Sequence, residues 1–303
     1  MIDPRSVEAD FNAQSRDQWE GFADHRRAVS RCLLEGSTPG LGRLCVLGAG
    51  NANDLDLPAL LAAYREVHLV DLDARALAGG ATRQGVAGHP GLRLLGGLDV
   101  TGMVEALARW SPATSVDDRE LAALAGWPMG RVAAGIGERF DVVASTCLLS
   151  QLVGHAGRAL GERHPRLAEA VRAIRRGHLR LLVGLARGGG TAWLITDLIS
   201  SDRHPGLADL TPEDLPGLVA DLARRGGLIR GVNPAGILAA FRRDPALAAS
   251  SVGIEAFPPW LWRLHRRHYL VWALRCRIGR ETPGIRGGFG GRAGGGPGGS
   301  FRF

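Results

Sequence analysis

A glycine-rich turn follows the first apolar run of this 303-residue sequence, and its composition suits close contact with a ligand. The stretch RLCVLGAGNANDLDL spans residues 43–57 and places Gly48 and Gly50 directly after the apolar residues. Glycine has no side chain, so the backbone there can approach a bound molecule and adopt φ/ψ values closed to other residues. A tight turn without a ligand would use the same glycines, and both interpretations stay open at this point.

Two later aspartates have the chemistry to bind a nucleoside. Asp71 ends the second apolar run, 23 residues after Gly48, and its carboxylate can accept hydrogen bonds from both hydroxyls of a ribose. Asp99 ends the third run, where it can accept from an adenine amino group while Val100 packs on the ring. Each has a structural alternative. Asp71 could cap a helix, a role that Asp73 would fill as well, and Asp99 could form an ordinary turn.

The residues that follow the glycines disfavour a dinucleotide. A dinucleotide-binding turn has the pattern GxGxxG, and its helix N-terminus faces a pyrophosphate. Here Asn53 occupies the third glycine position and Asp54 follows it. A carboxylate at that place would repel a pyrophosphate but suit an amino group. NAD and FAD are therefore disfavoured.

Five short apolar runs predict the strands that would position these residues. They are LCVLG, EVHLVD, LRLLGGLD, FDVVAST and TAWLITD, they lack polar alternation, and helical patterns separate them. Such runs are typical of strands that are buried on both faces of a parallel sheet with crossover helices. The pattern predicts an α/β fold with a doubly wound, mostly parallel sheet, which binds ligands at the carboxyl ends of its strands.

The flanking segments complete this architecture. Residues 1–40 contain an apolar helical stripe and predict an N-terminal helical lid, and the roughly 40 residues between the third and fourth runs predict a crossover with an insertion. SVGIEAF and HYLVWALRCRI predict two further strands, which makes seven in all. The tail at 279–303 is rich in Gly and Arg and has too little apolar mass to order itself, so it is predicted to be disordered.

The order and spacing of these stretches resemble the class I, Rossmann-like S-adenosylmethionine-dependent methyltransferases. The match runs from VLGAGNANDLDL through VHLVDLD, GGLDV and FDVVAST to ARGGGTAWLITDL, within a domain at 41–278. The resemblance implies S-adenosyl-L-methionine as the cofactor, with the two glycines beside its methionine part and residues 145–147 facing the reacting methyl group. The binding residues that it implies are Gly48, Ala49, Gly50, Asn53, Asp71, Leu72, Asp99, Val100, Ser145 and Thr146. The sequence departs from the family at Ala52, where many members have a third glycine.

Candidate proton acceptors follow the fourth and fifth runs. Methyl transfer from a sulfonium is an in-line displacement that depends mainly on positioning, but a hydroxyl or amine acceptor must also lose a proton. His155 is the preferred base and Asp197 the next, while Gln151 and His25 could orient or deprotonate an acceptor. For each of them, a solvated or structural role is the alternative. Cys147 has no base beside it in sequence and is predicted to be a packing residue.

Composition argues against several other classes of protein. All 37 basic residues are Arg and the net charge is +7, which together with 44 Gly favours a compositional bias over a partner-binding surface. The four cysteines are far apart and form no metal-ligand pattern, as is typical of a reduced cytoplasmic protein. The N-terminus lacks a signal-peptide pattern, and no apolar stretch approaches the roughly 20 residues of a membrane span. We therefore expect a cytoplasmic enzyme without a metal or a membrane partner.

Two other functions stay open alongside methyl transfer to a small molecule. RGGFGGRAGGGPGG resembles Arg/Gly-rich segments that bind RNA, so a non-enzymatic RNA-associated protein is one alternative. A Rossmann-like enzyme that uses NAD(P) is the other, against which Asn53 and Asp54 argue. No motif identifies the acceptor or the oligomeric state.

Overall fold

The computed structural model describes residues 4–35, 39–102 and 104–280. Its α-helices are α1 Pro4–Ser15, α2 Ala23–Leu34, α3 Leu57–Ala63, α4 Ala74–Arg83, α5 Val104–Arg109, α6 Asp118–Trp127, α7 Ala133–Ile136, α8 Leu148–Leu160, α9 Leu167–Leu185, α10 Leu215–Arg225, α11 Pro234–Arg243 and α12 Pro245–Ser250. Its strands are β1 Arg43–Leu47, β2 Glu66–Asp71, β3 Leu92–Gly96, β4 Phe140–Thr146, β5 Ala186–Ser200, β6 Ser251–Ala256, β7 Trp260–Leu264 and β8 Arg267–Ile278. A π-helical turn at Pro128–Val132 joins α6 to α7.

All of these strands belong to one sheet, in the order β3-β2-β1-β4-β5-β8-β6, with β7 also paired to β8. Strands β1 to β5 are parallel, and β6 and β7 pair with β8 in the antiparallel sense. β8 is itself antiparallel to β5. The predicted α/β fold with a mostly parallel, doubly wound sheet is confirmed. Because the chain order reverses between β1 and β4, the crevice beyond their carboxyl ends is where such a sheet binds ligands.

The described chain has eight strands where the sequence predicted seven. The additional strand is β7, which meets the start of β8 through a two-residue turn, while β6 pairs with the end of β8. Pro258 and Pro259 separate β6 from β7, because a proline has no N–H to donate to a sheet. The run WLWRL next to this proline pair gave too short a signal to be predicted as a strand of its own.

Apolar side chains cover both faces of the sheet. In β1, Cys45 and Leu47 join the core that contains α8 and α9, whereas Leu44 and Val46 join the core that contains α2, α3 and α4. All four side chains are fully buried. Successive side chains of a strand point to opposite faces, so a strand covered on both sides has no polar positions. This explains why the predicted strands lacked polar alternation.

Two groups of helices lie where the sequence predicted them. Helices α1 and α2 fall within the predicted lid, and α5, α6 and α7 form the inserted crossover between β3 and β4. α6 packs closely on α9, since a side chain at Gly177 would place its Cβ 2.3 Å from the carbonyl oxygen of Leu124.

The predicted disordered tail lies outside the described residues apart from Gly279 and Arg280, and so does the RNA-binding hypothesis that rests on it. No helix in the described part of the chain is both long and apolar enough to cross a membrane.

Candidate functional site

A cavity of about 580 Å³ lies at the carboxyl ends of β1, β2, β4 and β5, beside the point where the strand order reverses. Its volume is within the usual range for small-molecule sites. It is lined by eleven of the twelve binding and catalytic residues predicted from the sequence: Gly48, Ala49, Gly50, Asn53, Asp71, Leu72, Asp99, Val100, Thr146, His155 and Asp197. The structure therefore brings nearly all of the predicted site residues together.

The glycine turn wraps from β1 toward the cavity in left-handed backbone conformations. Gly48 has φ +75° and Gly50 has φ +45°, values that glycine adopts without steric cost. A Cβ at Gly48 would lie 2.9 Å from the Leu148 side chain, and a Cβ at Gly50 would lie 2.8 Å from Oδ1 of Asn12. Ala52, where the sequence departs from the family, has φ 51° and so adopts a conformation that glycine would take more easily.

Asp71 and Asp73 divide the two roles that the sequence left open. Asp73 caps α4, accepting hydrogen bonds from the N–H groups of Arg75 and Ala76. The Asp71 carboxylate instead lies over the turn, where its oxygens accept from the N–H groups of Gly50 and Asp73, each at 2.8 Å. Each oxygen keeps a further lone pair for a ligand. Burial raises the pKa of Asp71, and its side chain lines the cavity.

Asp99 holds the loop after β3. Its Oδ1 accepts from the Thr101 N–H at 2.9 Å and from the Thr101 hydroxyl at 2.6 Å, and its Oδ2 accepts from the Val104 N–H at 3.0 Å. The turn-forming role is therefore present in the structure. Contact of Asp99 with an adenine stays a prediction, and buried Val100 beside it contributes an apolar surface to the cavity.

Ser145 is the predicted site residue that does not line the cavity, and the expectation that it contacts the cofactor is corrected. It is fully buried, and its hydroxyl lies 2.8 Å from Nε2 of His178 on α9. Neighbouring residues of a strand point to opposite faces, so Thr146 lines the cavity while Ser145 points into the core. The serine thus ties β4 to α9.

Two asparagines of the glycine turn hold α1 across the cavity. The amide of Asn51 donates to the Asn12 carbonyl at 2.6 Å and to the Ser15 hydroxyl at 3.0 Å. The amide of Asn53 donates to the Ser15 carbonyl at 2.7 Å, and its oxygen accepts from Arg83 at 2.6 Å. Asn53 therefore lines the cavity with a side chain that is already bound to the protein. The predicted lid is attached to the ligand-facing turn itself.

Two buried carboxylates line the cavity. Asp54 and Asp197 are each 9% exposed, and neither forms an ion pair with a described residue. The Ser150 hydroxyl donates a hydrogen bond to the Asp197 carboxylate. Burial raises the pKa of Asp54 to about 6 and also raises the pKa of Asp197. Asp54 was considered in the sequence only as an argument against pyrophosphate.

His155 lines the cavity from α8, one turn after Gln151, which lines it too. Burial, together with a smaller effect of the nearby Arg158 guanidinium, lowers the pKa of His155 to about 4. The imidazole is therefore neutral at pH 7 and has a lone pair with which to accept a proton. Proton transfer by His155 or Asp197 stays a prediction, and the structure brings both side chains to the same cavity.

His25 also lines the cavity, but its hydrogen bonds argue against a role as base. Its Nδ1 accepts from the indole N–H of Trp260 at 3.2 Å, and that indole can only donate. The neutral imidazole must then have its proton on Nε2, which lies 3.9 Å from the Cys147 sulfur. Burial lowers the pKa of His25 to about 3 and raises the pKa of the Cys147 thiol. The pair is neutral, so neither an available base nor an activated nucleophile results.

An aromatic cluster from the lid and the final hairpin lines part of the cavity. Trp262 stacks on Tyr269 with centroids 4.7 Å apart, and His25 stacks on Trp262 at 4.4 Å. Phe22 packs against Trp262 at 4.7 Å. These residues come from the lid and the β7–β8 hairpin, and sequence reasoning did not assign the tryptophan or the tyrosine to the site. They lie far from the glycine turn along the chain, so no local pattern links them to it.

The described residues contain no set of side chains that could bind a metal ion. No group of three or more His, Cys, Asp or Glu side chains there is arranged to hold an ion, and His265 and His268 share no third ligand.

The comparisons with known proteins concern the fold. No family model and no curated protein matches the chain. Among solved structures, the N-methyltransferase NodS from Bradyrhizobium japonicum WM9 is 12% identical, with a TM-score of 0.40 over 88% of this chain and 99% of that one. An O-methyltransferase family protein from Burkholderia thailandensis is 13% identical, with a TM-score of 0.43 over 91% of this chain and 60% of that one. YcgJ from Bacillus subtilis is 12% identical, with a TM-score of 0.39 over 83% of this chain and 97% of that one.

Proposed function

We propose that this protein is an S-adenosylmethionine-dependent methyltransferase whose acceptor is a small molecule. The observation that carries the proposal is that Gly48, Gly50 and the Asp71 carboxylate face one cavity at the switch point of the sheet. No bulky side chain of β1 or β2 separates them, because the Gly50 N–H itself donates to Asp71. Backbone on one side and a carboxylate on the other is the arrangement that an adenosyl group requires.

The residues around this cavity fit the parts of the cofactor. The lone pairs that remain on Asp71 can accept from ribose hydroxyls, and the surface of Leu72 and Val100 suits an adenine ring. The glycine turn admits the chain of the methionine part, because a Cβ at Gly50 would fill the space next to the lid. The Asp54 carboxylate at the end of this turn suits the ammonium group of that part. When bound, the cofactor supplies an electrophilic methyl group on a sulfonium.

The protein's own contribution is orientation, exclusion of water and movement of one proton. Helix α1, bound through Asn51 and Asn53, covers the cavity. Positioning of the two reactants can account for roughly 7 to 11 kcal/mol of a barrier when the geometry is good. His155 and Asp197 are the groups that can accept the proton of a hydroxyl or amine acceptor.

An NAD(P)-dependent enzyme fits this site less well. The buried Asp54 carboxylate lies where a pyrophosphate would be held, and the side chain of Asn53 fills the third glycine position while bound to Ser15 and Arg83. Two like charges in a buried site repel strongly.

Isothermal titration calorimetry tests the proposal directly. We expect saturable binding of S-adenosylhomocysteine and S-adenosylmethionine, and none of NADH or NADPH. Saturable binding of NADH alone would overturn the proposal. Mass spectrometry of a lysate of the source organism, incubated with the protein and a labelled methyl donor, would then identify the acceptor.

A further inference from the structure

Helix α9 carries four arginines on the side that faces α11 and α12. Arg172, Arg175, Arg176 and Arg180 are related by spacings of three and four residues, so their side chains share one side of the helix. Among the described residues, Asp244 is the one carboxylate that forms ion pairs with them. It accepts from Nε of Arg180 at 3.1 and 3.2 Å and lies 3.3 Å from Nε of Arg176. The cluster therefore has more positive charge than this one carboxylate balances.

Arg175 is partly buried and forms no ion pair with a described residue. Its Nη1 donates to the carbonyl of Gly231 at 3.2 Å, whereas its Nε is buried without an acceptor. The guanidinium lies against the first turn of α11, since a Cβ at Gly236 would be 2.9 Å from Nη1. Burial and, to a smaller extent, the nearby Arg172 and Arg176 lower the pKa of Arg175. All of these influences act against its charged form.

An arginine in this position differs from one that is simply solvated. On α10, Arg224 and Arg225 are exposed to water and both pair with Asp221. Arg175 instead loses part of its hydration without a carboxylate partner, and the first turn of α11 adds the positive end of a helix dipole. Such an arrangement favours the binding of an anion. A guanidinium matches the geometry of phosphate oxygens, to which it can donate two parallel hydrogen bonds.

We propose that Arg172, Arg175 and Arg176 form a binding site for a phosphate group. Arg175 supplies the fixed donors, because its contacts with Gly231 and Gly236 hold the guanidinium in place. Arg172 and Arg176 are exposed and supply further charge beside it. Free phosphate esters and nucleic-acid backbones both present such a group. None of the three arginines lines the large cavity, so this site is separate from the proposed function.

Thermal melting of the full-length protein in inorganic phosphate tests the site. Sodium chloride keeps the ionic strength constant throughout, so that screening of surface charges stays the same. A ligand that binds only the folded protein raises its Tm, and we expect a saturable rise of roughly 2 °C or more. Arg175→Gln removes the charge of the fixed donor. Its Tm should therefore not respond to phosphate.

Arg224→Gln is the matched control, because it removes the same charge from an arginine that is paired with Asp221. Its Tm should rise with phosphate as in the wild type. The melting transition itself shows whether Arg175→Gln is folded. If it is not, Arg172→Gln replaces it, since that side chain is exposed and contributes little to the fold. The response of Arg172→Gln to phosphate should be smaller than that of the wild type, and an equal response would refute the site.

A fluorescent oligouridylate, titrated at several salt concentrations, distinguishes the two sources of phosphate. If a nucleic acid occupies the site, Arg175→Gln should reduce the slope of log K against log salt by roughly 0.7, the value for one contact to a single strand. If a free ester occupies it, ribose 5-phosphate should raise the Tm of the wild type, and the variant should bind the oligouridylate unchanged.

The site is refuted if phosphate raises the Tm of the wild type and of Arg175→Gln equally. It is also refuted if phosphate has no effect on the wild type and the salt slope of the variant is unchanged. Calorimetry with S-adenosylhomocysteine should give the same affinity for the wild type and Arg175→Gln. Failure of this inference therefore leaves the methyltransferase proposal as it stands.

Discussion

Two aspartates that are two residues apart show how single side chains acquire different roles at this site. Asp73 caps the N-terminus of α4 with one carboxylate oxygen and accepts from the Asn12 amide of the lid with the other, whereas Asp71 holds the glycine turn and lines the cavity. Asn51 and Asn53 likewise use their amides to bind the lid rather than a ligand. In each case the hydrogen bonds within the protein determine which donors and acceptors of the side chain remain for a ligand.

The pair of aspartates predicts a difference between two matched variants. Asp71→Asn should weaken S-adenosylhomocysteine binding roughly tenfold or more, because it removes charge-assisted acceptors for the ribose. Asp73→Asn keeps a good helix cap and does not line the cavity, but it loses one hydrogen bond from the Asn12 amide of the lid, so its affinity should fall much less than that of Asp71→Asn. Calorimetry measures both affinities. Asp71 also accepts two backbone hydrogen bonds, so its substitution could lower the stability of the fold. Thermal melting of both variants therefore checks that each is folded at the temperature of the titration. Equal affinities in the two variants would mean that the ribose lies elsewhere.

His178 predicts a pH-dependent contribution to stability. It is buried in the core beside Ser145, and burial lowers its pKa to about 4. The unfolded chain takes up a proton near pH 6.5 that the folded chain resists, so the stabilisation is present above pH 6.5 and is lost as the pH falls toward 4. In His178→Gln this loss is absent. The gap in unfolding free energy between wild type and variant should therefore change by about 2 kcal/mol in favour of the variant between pH 7.5 and pH 5.

Urea denaturation of both proteins at the two pH values measures this gap. Other buried groups, among them Asp54, whose raised pKa acts in the opposite direction, titrate in both proteins and cancel in the difference. A gap that does not depend on pH would show that His178 becomes protonated in the folded protein as easily as in the unfolded one.

At the scale of elements, the lid and the β7–β8 hairpin complete a cavity that the parallel strands only begin. α1 reaches the glycine turn through Asn12 and Ser15, and the hairpin contributes Trp262 and Tyr269. A lid held by side chain to backbone hydrogen bonds can open without disturbing the core. Local opening of this kind has a free energy well below that of global unfolding.

The attachment of α1 predicts a protease-sensitive variant. Asn51→Ala removes two hydrogen bonds that join the lid to the turn, each of which contributes about 1 kcal/mol. The opened state should become roughly tenfold or more populated, and trypsin should cleave after the exposed Arg16 correspondingly faster. Asn233→Ala is the control, because Asn233 caps α11 and does not touch the lid. Equal cleavage rates for the two variants would contradict a lid held by Asn51.

At the scale of the whole molecule, the sheet places every part of the site on one edge. The described residues that line the cavity lie between Phe11 and Tyr269, although they come from the lid, four parallel strands, α8 and the final hairpin. The chain has a net charge of +7, and four aspartates and two arginines are among the residues that line the cavity.

This arrangement predicts the effect of removing the tail. A chain that ends at Arg280 should bind S-adenosylhomocysteine within about twofold of the full-length protein, because it keeps every described residue that lines the cavity. An RNA-associated protein would instead lose most of its salt-dependent affinity for single-stranded RNA. Calorimetry with S-adenosylhomocysteine and filter binding with a polyuridine probe, each at two salt concentrations, measure the two effects. Loss of S-adenosylhomocysteine binding would show that the tail belongs to the site.

The sequence by itself determined the fold class and the core of the cofactor end. Unbroken apolar runs predict strands that are covered on both faces, and a parallel sheet brings the ends of successive strands to one edge. Gly48, Gly50 and Asp71 could therefore be grouped from their positions at strand ends alone, and the structure places them together. Such inferences succeed because they depend on local periodicity and on a topology with few alternatives.

Only the tertiary structure decided which polar groups remain for a ligand. Ser145 belongs to the core, where its hydroxyl meets His178 on a helix 33 residues later. Asp54 and Asp197 come to line one cavity, both nine-tenths buried, only once the chain has folded. Trp262 and Tyr269 reach that cavity from the far end of the chain. Hydrogen bonds, burial and charge balance between distant segments have no local signature, so folding alone reveals them.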